Sequence, residues 1–213
     1  MLALDDDVRR EIVEAVDPRH ARRVERNLAQ AAEAYERGRF GEARKILSAV
    51  ADVASAVPSF RELMGLCHYR LGRWREAIRE LEAFRMLAGT VEQHPVLADC
   101  YRAIGRHDEV ERLFRELSEG TGDPELVEEG RIVLAGSLVD RGRVREAVEL
   151  LSRDFPAKKI RRSSPIYMLR RAYALADALE RAGELPRARR LFSEIARAAP
   201  DLTDADERAR DLS

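Results

Sequence analysis

The chain has 213 residues, of which 36% are charged and only 6% aromatic, a balance that favours many solvated helices and argues against a thick sheet core. Its 38 Lys and Arg residues almost balance its 39 Asp and Glu residues, for a formal net charge of -1. Because no global positive field would draw the chain to a polyanion, we expect neither nucleic acid nor a membrane as its partner.

The N-terminal segment predicts a capping helix. Val8, Ile12, Ala15 and Val16 form an apolar stripe at helical spacing, and the three aspartates at 5–7 suit the positive end of a helix dipole. The same acidic start, followed by no apolar run, argues against a secretory signal. No stretch approaches the ~18 consecutive apolar residues of a membrane span. We therefore expect a soluble, cytoplasmic protein.

A spaced pattern of Gly, a small apolar residue and a large apolar residue recurs five times along the chain. Its copies are Gly38, Ala43 and Leu47; Gly72, Ala77 and Leu81; Gly105, Val110 and Phe114; Gly142, Ala147 and Leu151; and Gly183, Ala188 and Phe192. The small residues lie 34, 33, 37 and 41 residues apart. Because helices approach closely only at small side chains, and a tight turn tolerates Gly at positive φ, each copy predicts a helix, a turn and a second, antiparallel helix.

This pattern resembles the tetratricopeptide repeat family, whose period is about 34 residues. The turns at 38–43 and 72–77 match most closely, and the resemblance covers roughly residues 18 to 200. The chain departs from the family at Val110, where Ala is preferred, and at Asp154, where a small residue is usual. The resemblance implies an all-α fold: a right-handed α-solenoid of about five helix-turn-helix repeats, with capping helices at both ends.

Capping residues predict where the first helices of the repeats begin. Asp17, Asp123 and Ser164 each directly precede a Pro suited to the first helical position. Pro58 and Pro95 give a weaker signal for repeats two and three, and repeat three is expected to have a short first helix.

The predicted boundaries follow from these starts. They are an N-terminal capping helix at 1–17, repeats at 18–57, 58–90, 91–122, 123–163 and 164–200, and a capping helix or frayed tail at 201–213. The last segment carries an amphipathic stripe of Leu202, Ala205, Ala209 and Leu212.

The sequence lacks the usual traces of catalysis. It has no Gly-rich phosphate loop, no His-Glu-x-x-His and no Gly-x-Ser-x-Gly. The four histidines, His20, His68, His94 and His107, lack the spacing that brings two ligands to one metal. Cys67 and Cys100 are lone residues on apolar stretches, as expected of packing residues in a reducing compartment. We predict no enzyme, cofactor or metal, although separated carboxylates could still meet in space.

The resemblance implies that the first helices of successive repeats line a concave groove for a peptide. The groove residues carried over onto this sequence are Leu28, Ala32, Tyr35, Glu62, Leu66, Tyr69, Asp99, Arg102, Ile132, Val139, Tyr173, Asp177 and Glu180. Apolar anchors beside acidic groups suit a peptide with apolar residues and a basic or amide-rich stretch. The leading hypothesis is therefore an interaction scaffold or adaptor for a protein or peptide. Any single groove residue could instead simply pack between helices.

A local basic patch gives the alternative hypothesis. It consists of Lys158, Lys159, Arg161, Arg162, Arg170 and Arg171, around the linker into repeat five. Such a patch could hold phosphate, as in a nucleic-acid-binding or ribonucleoprotein-associated module. No aromatic residues interleave it as single-strand stacking requires, which favours an ordinary solvated loop. Self-association through an uncapped apolar face is a third option, so a monomer or a homodimer is expected.

Overall fold

A computed structural model describes residues 4–120, 122–155, 160–201 and 203–212. Within these ranges every regular element is an α-helix, as the sequence predicts, and no strand occurs. The helices are α1 (Asp6–Ala15), α2 (Pro18–Glu36), α3 (Phe40–Ser48), α4 (Ala51–Ala54), α5 (Pro58–Arg70), α6 (Trp74–Ala88), α7 (His94–Ala103), α8 (His107–Gly120), α9 (Pro124–Asp140), α10 (Val144–Ser152), α11 (Ile166–Arg181), α12 (Leu185–Ala198) and α13 (Ala205–Asp211).

Five glycines end the first helix of each predicted pair in the left-handed conformation. Gly38 has φ 73° and Gly72 has φ 69°, and the glycines at 105, 142 and 183 share this geometry. The amide after each glycine bonds a carbonyl in the last turn of the helix, as Arg39 N does with Ala34 O at 2.9 Å. Side chains with a β-carbon disfavour this backbone, so the recurring glycines fix the turns between helices.

Two of the three predicted helix caps are confirmed. Asp17 accepts from Arg19 N, and Asp123 accepts from Glu125 N, both at 2.9 Å. The Arg19 side chain also bonds Asp17 and lowers the pKa of its carboxyl to about 2. Ser164 is not a helix cap: its hydroxyl accepts from Arg161 N at 3.0 Å within the loop. Pro165 lies between Ser164 and the start of α11, so the serine is one residue too early to cap it.

The helices form two compact units, unit 1 up to Arg106 and unit 2 from His107. Unit 1 contains α1 to α7 and unit 2 contains α8 to α13, so the predicted third repeat contributes one helix to each. The small and large residues of the repeated pattern are buried in these units; Ala43 and Leu47 in unit 1, and Ala188 and Phe192 in unit 2, are each 0% exposed.

The buried side chains confirm the expected role of the cysteines. Cys67 on α5 and Cys100 on α7 are both buried, free thiols. Repeat three has the short first helix that was expected, the ten residues of α7. The four-residue helix α4 was not predicted; it places Val50, Ala54 and Val57 in the core of unit 1.

Both terminal segments form helices that bury part of their predicted stripes. On α1, Ile12 is buried, as is Val16 directly after it, whereas Ala15 is exposed, contrary to the expected stripe. On α13, Ala205 and Ala209 are buried, and Leu202 lies outside the described residues. No helix in the described part of the chain is both long and apolar enough to cross a membrane.

Candidate partner-binding surfaces

The first helices of unit 1 present a common face. Helix α2 packs against α5, and α5 against α7. We define the unit 1 inner face as the predicted groove residues of these helices that stay partly exposed: Ala32, Tyr35, Glu62, Leu66, Tyr69, Asp99 and Arg102. Hydrogen bonds cross between the helices on this face. Tyr69 donates to Asp99 at 2.9 Å, which joins α5 to α7.

Leu28 differs from the other predicted groove residues of unit 1. It is 3% exposed and belongs to the core cluster that also contains Ile12 of α1 and Phe60 of α5. Leu28 is therefore a packing residue while α1 is in place, and its predicted role as a contact residue is wrong for this arrangement. The physical reason is that α1 supplies an apolar cover that the repeat pattern does not include.

The exposed tyrosines are held by aromatic partners that the sequence reasoning missed. Tyr35 packs edge-on against Phe40, with ring centroids 5.1 Å apart, and Tyr69 packs in the same way against Trp74 at 5.7 Å. The Arg70 guanidinium lies 4.2 Å from the Phe40 ring centroid. The available signal was an aromatic residue five positions after each Tyr, across the Gly turn. These contacts fix the ring positions, so the tyrosines are rigid surface groups.

The negative character of the unit 1 inner face centres on Glu62. Burial raises the pKa of its carboxyl, a bond from Gln93 at 2.7 Å opposes that shift, and nearby Glu92 and Glu11 add to it. A carboxylate in such surroundings favours an incoming cation. Asp99 is different, because the Arg102 guanidinium donates to it at 2.9 Å in addition to Tyr69.

In unit 2 an internal arginine occupies the predicted acidic site. Arg208 of α13 pairs with Asp177 at 3.1 Å and with Glu180 at 2.6 Å, and donates to the Tyr173 hydroxyl at 3.2 Å. Its guanidinium also lies 4.7 Å from the Phe192 ring centroid. These three predicted groove residues are therefore already bound within the chain.

The remaining groove residues of unit 2 contribute to packing. Ile132 and Val139 of α9 are partly buried against the unit 2 core. Sequence reasoning missed Arg208, whose only signal was a lone arginine within the C-terminal stripe. Unit 2 therefore offers less free surface on its first helices than the repeat pattern predicts.

The basic patch does not persist as a set of free cations. Arg171 is 6% exposed, donates to the Leu151 carbonyl at 2.9 Å and pairs with Glu128 at 2.9 Å. Its predicted place in a ligand-binding patch is wrong, because it satisfies the end of α10. Arg170 pairs with Glu129 at 2.7 Å. Arg161 and Arg162 are exposed, and Lys158 and Lys159 lie outside the described residues.

A shallow cavity of about 500 Å³ lies in unit 2 among α8, α9 and α10. Phe114, Leu134 and Leu150 form its apolar floor, and charged residues surround them. Part of that charge is paired internally, since Arg143 bonds Glu146. No group of three or more His, Cys, Asp or Glu side chains among the described residues could hold a metal ion.

Paired helices whose first members share a face define a helical-repeat protein-interaction module. Three family models, all described as tetratricopeptide repeat, match residues 28–88, 87–168 and 169–194. The chain belongs to the tetratricopeptide repeat family, as its sequence pattern indicated. Proteins of this family bind protein partners in general. No curated protein matches the chain.

Solved structures agree with the fold. A variant of nearly identical TPR-like repeats, from a Podosopora anserina protein described as a kinesin light chain, is 22% identical with a TM-score of 0.64, covering 83% of this chain and 94% of that one. TTC0263, a thermophilic TPR protein of Thermus thermophilus, is 16% identical with a TM-score of 0.62, covering 88% and 97%. MamA MSR-1 C2 is 20% identical with a TM-score of 0.59, covering 91% and 99%. At these identities the likeness concerns the fold alone.

Proposed function

We propose that this chain is a non-enzymatic adaptor that holds a segment of a partner protein on the unit 1 inner face. The observation that carries the proposal is the row formed by Tyr35, Leu66 and Tyr69, partly exposed on two adjacent first helices beside the carboxylate of Glu62. The repeat boundaries predicted from the sequence form part of the proposal.

The row has the properties of an energetic centre for binding. The rings of Tyr35 and Tyr69 are each fixed by an aromatic neighbour, at 5.1 and 5.7 Å between ring centroids. Rigid aromatic groups lose little conformational entropy when a partner docks, so more of their contact energy appears as affinity. Leu66 adds an aliphatic contact between them.

The charge beside the row indicates the chemistry of the partner. Glu62 accepts one hydrogen bond, from Gln93, and burial raises the pKa of its carboxyl. A Lys, Arg or amide group of the partner would stabilise that carboxylate, and apolar side chains would contact Leu66 and the tyrosines. Because Asp99 is already bonded by Tyr69 and Arg102, we assign the electrostatic role to Glu62.

Two further features fit the proposal. The polar groups of the face bond to one another across helices, as Tyr69 does with Asp99, which suits a binding surface better than catalysis. The free buried thiols of Cys67 and Cys100 fit the proposed cytoplasmic location, where thiols stay reduced. The nucleic-acid alternative is weakened, since Arg170 and Arg171 pair with Glu129 and Glu128.

Affinity capture with mass spectrometry, followed by binding measurements on matched variants, tests the proposal. We expect Leu66→Glu and Glu62→Arg each to weaken binding of the captured partner at least about tenfold. Met86→Glu is the matched control, because Met86 of α6 is 81% exposed and lies outside the unit 1 inner face. Thermal unfolding of each variant checks its fold. Unchanged affinity in folded Leu66→Glu and Glu62→Arg chains would refute the assignment.

A further inference from the structure

The N-terminal helix α1 packs on the same first helices that carry the unit 1 inner face. It contacts both α2 and α5. Ile12 is 2% exposed and Val16 is 6% exposed, and both belong to the core cluster that contains Leu28 and Phe60. Helix α1 thus covers one part of the shared surface and leaves the row of Tyr35, Leu66 and Tyr69 partly exposed.

The polar contacts of α1 resemble those of a docked ligand helix. Glu11 accepts a hydrogen bond from the backbone amide of Ser59 at 2.9 Å, in the first turn of α5, where amides lack partners within the helix. Arg9 pairs with Glu25 of α2 at 3.2 Å. Apolar side chains, one cation and one carboxylate therefore each have a distinct receptor group on α2 and α5.

The attachment of α1 is limited to one face. Val13, on the opposite side, is 75% exposed. The Arg9–Glu25 pair is nearly half exposed on both sides, so it adds little stability. With ten residues, α1 is shorter than the roughly 12–15 residues at which isolated helices become even marginally stable in water. Its folding therefore depends on docking, and it can detach as a unit.

We propose that the surface under α1 is a binding site for an amphipathic helix of a partner protein, and that α1 is its resident, displaceable occupant. The inference rests on the proposed function and specifies its partner. Displacement would uncover Leu28 and extend the unit 1 inner face along α2, which returns to Leu28 the contact role that the repeat pattern predicts.

The contacts of α1 specify the chemistry of the competing helix. It carries apolar side chains every four residues, as Leu4, Val8, Ile12 and Val16 do here. A basic residue directly follows the second apolar position, to meet Glu25, and a carboxylate directly precedes the third, to cap α5 at Ser59. Charge and spacing together distinguish such a helix from a generic apolar one.

A binding experiment on the full chain tests the inference with a labelled peptide of residues 4–17 as the probe. Ile12→Asp places a charge in the buried position and releases α1, so this chain should bind the peptide at least about tenfold more tightly than the wild-type chain does. Val13→Asp, the matched control on the exposed side of α1, should behave as wild type. A peptide carrying Ile12→Asp should not bind. Equal binding by the wild-type and folded Ile12→Asp chains, or none by either, overturns the inference.

Hydrogen exchange on the wild-type chain tests displaceability without any substitution. Amides of α1 should exchange at least about tenfold faster than those of α2 and α5, because α1 opens while the rest of unit 1 stays folded. Equal protection in all three helices overturns the inference, even if the Ile12→Asp chain does not fold. A wild-type dimer abolished by Ile12→Asp would make a second copy of α1 the occupant and overturn the assignment to a partner protein.

The two proposals can fail separately. If the peptide does not bind but Leu66→Glu still abolishes capture of a partner, only the role of α1 is wrong. If the peptide binds but Leu66→Glu and Glu62→Arg leave capture intact, the α1 site stands as a helix-binding surface and the row on the unit 1 inner face is wrong.

Discussion

Gly65 of α5 and Leu81 of α6 mark the closest approach of these two helices: a β-carbon at Gly65 would lie 2.7 Å from both Cγ and Cδ2 of Leu81. The Leu81 side chain is 0% exposed and the backbone nitrogen of the same residue would lie 3.3 Å from the added carbon. The helix pair of repeat two therefore depends on the missing side chain at Gly65.

Gly65→Ala should destabilise the chain although alanine is the better helix former. Overpacking a filled core costs about 1–3 kcal/mol, against a gain of about 1 kcal/mol in helix propensity. We expect a net loss of about 1 kcal/mol in chemical denaturation. Gly41→Ala is the control with the opposite sign, since Gly41 of α3 has nothing within 4 Å of an added β-carbon. Equal effects of the two changes would contradict the close crossing.

Arg171→Met should cost far more stability than Arg170→Met. Arg171 is buried and bonds Glu128 and the Leu151 carbonyl, so its loss leaves buried acceptors without a donor, at a cost of about 3 kcal/mol. The Arg170–Glu129 pair is 52% and 29% exposed, and such pairs contribute less than about 1 kcal/mol. Urea unfolding of both variants measures the difference. Similar losses would mean that Arg171 is not a structural group.

His68 should make the stability of unit 1 depend on pH. It is 6% exposed, its Nδ1 has no hydrogen-bond partner, and burial lowers its pKa below the ordinary value of 6.5. The charged groups around it, Glu76, Arg73, Glu80 and Arg44, shift the pKa in both directions and less than burial does.

The sign of this dependence follows from proton binding. Below the unfolded-state pKa, the unfolded chain binds a proton that the folded chain excludes, so stability falls as pH drops below about 6.5. Replacing the imidazole in His68→Leu should flatten this fall, measured as the difference between wild type and variant in denaturation at pH 8 and at pH 5.5. The difference also separates His68 from Glu62, whose raised pKa acts in the opposite direction. Parallel curves for the two chains would exclude the role of His68.

Cys67 and Cys100 should resist thiol reagents in the folded chain. Both are 0% exposed, and burial raises the pKa of each thiol to about 12. The reactive thiolate is therefore scarce at pH 8, and the reagent has no access. We expect no labelling of the native chain over minutes and two labelled thiols in guanidinium chloride. Rapid labelling of native protein would show that unit 1 opens far more often than its packing implies.

Local signals made the helices predictable from sequence. Glycine at the turns, Asp17 and Asp123 before a proline, and small residues at helix crossings act through neighbours within a few positions, and the structure confirms each. Ser164 was misjudged because a capping side chain also competes for bonds inside a loop, and here it accepts from Arg161.

The composition of the candidate surface was less predictable. The repeat pattern identifies positions on the first helices, but it cannot say what covers them. Leu28 is covered by α1, and Asp177 and Glu180 are bound by Arg208 of α13. Both covers come from terminal helices outside the repeats, at sequence separations that no periodic pattern encodes.

The amino-acid sequence was sufficient for the family, the helix pairs and the buried stripe, because these depend on backbone conformation and on periodic burial over short distances. Which surface groups remain available was a matter of tertiary packing. Packing bound Arg171 into the end of α10, satisfied Asp99 with Tyr69, and left Glu62 beside the exposed row of the unit 1 inner face. Desolvation and ion pairing depend on three-dimensional neighbours, and these are set by how helices distant in sequence pack together.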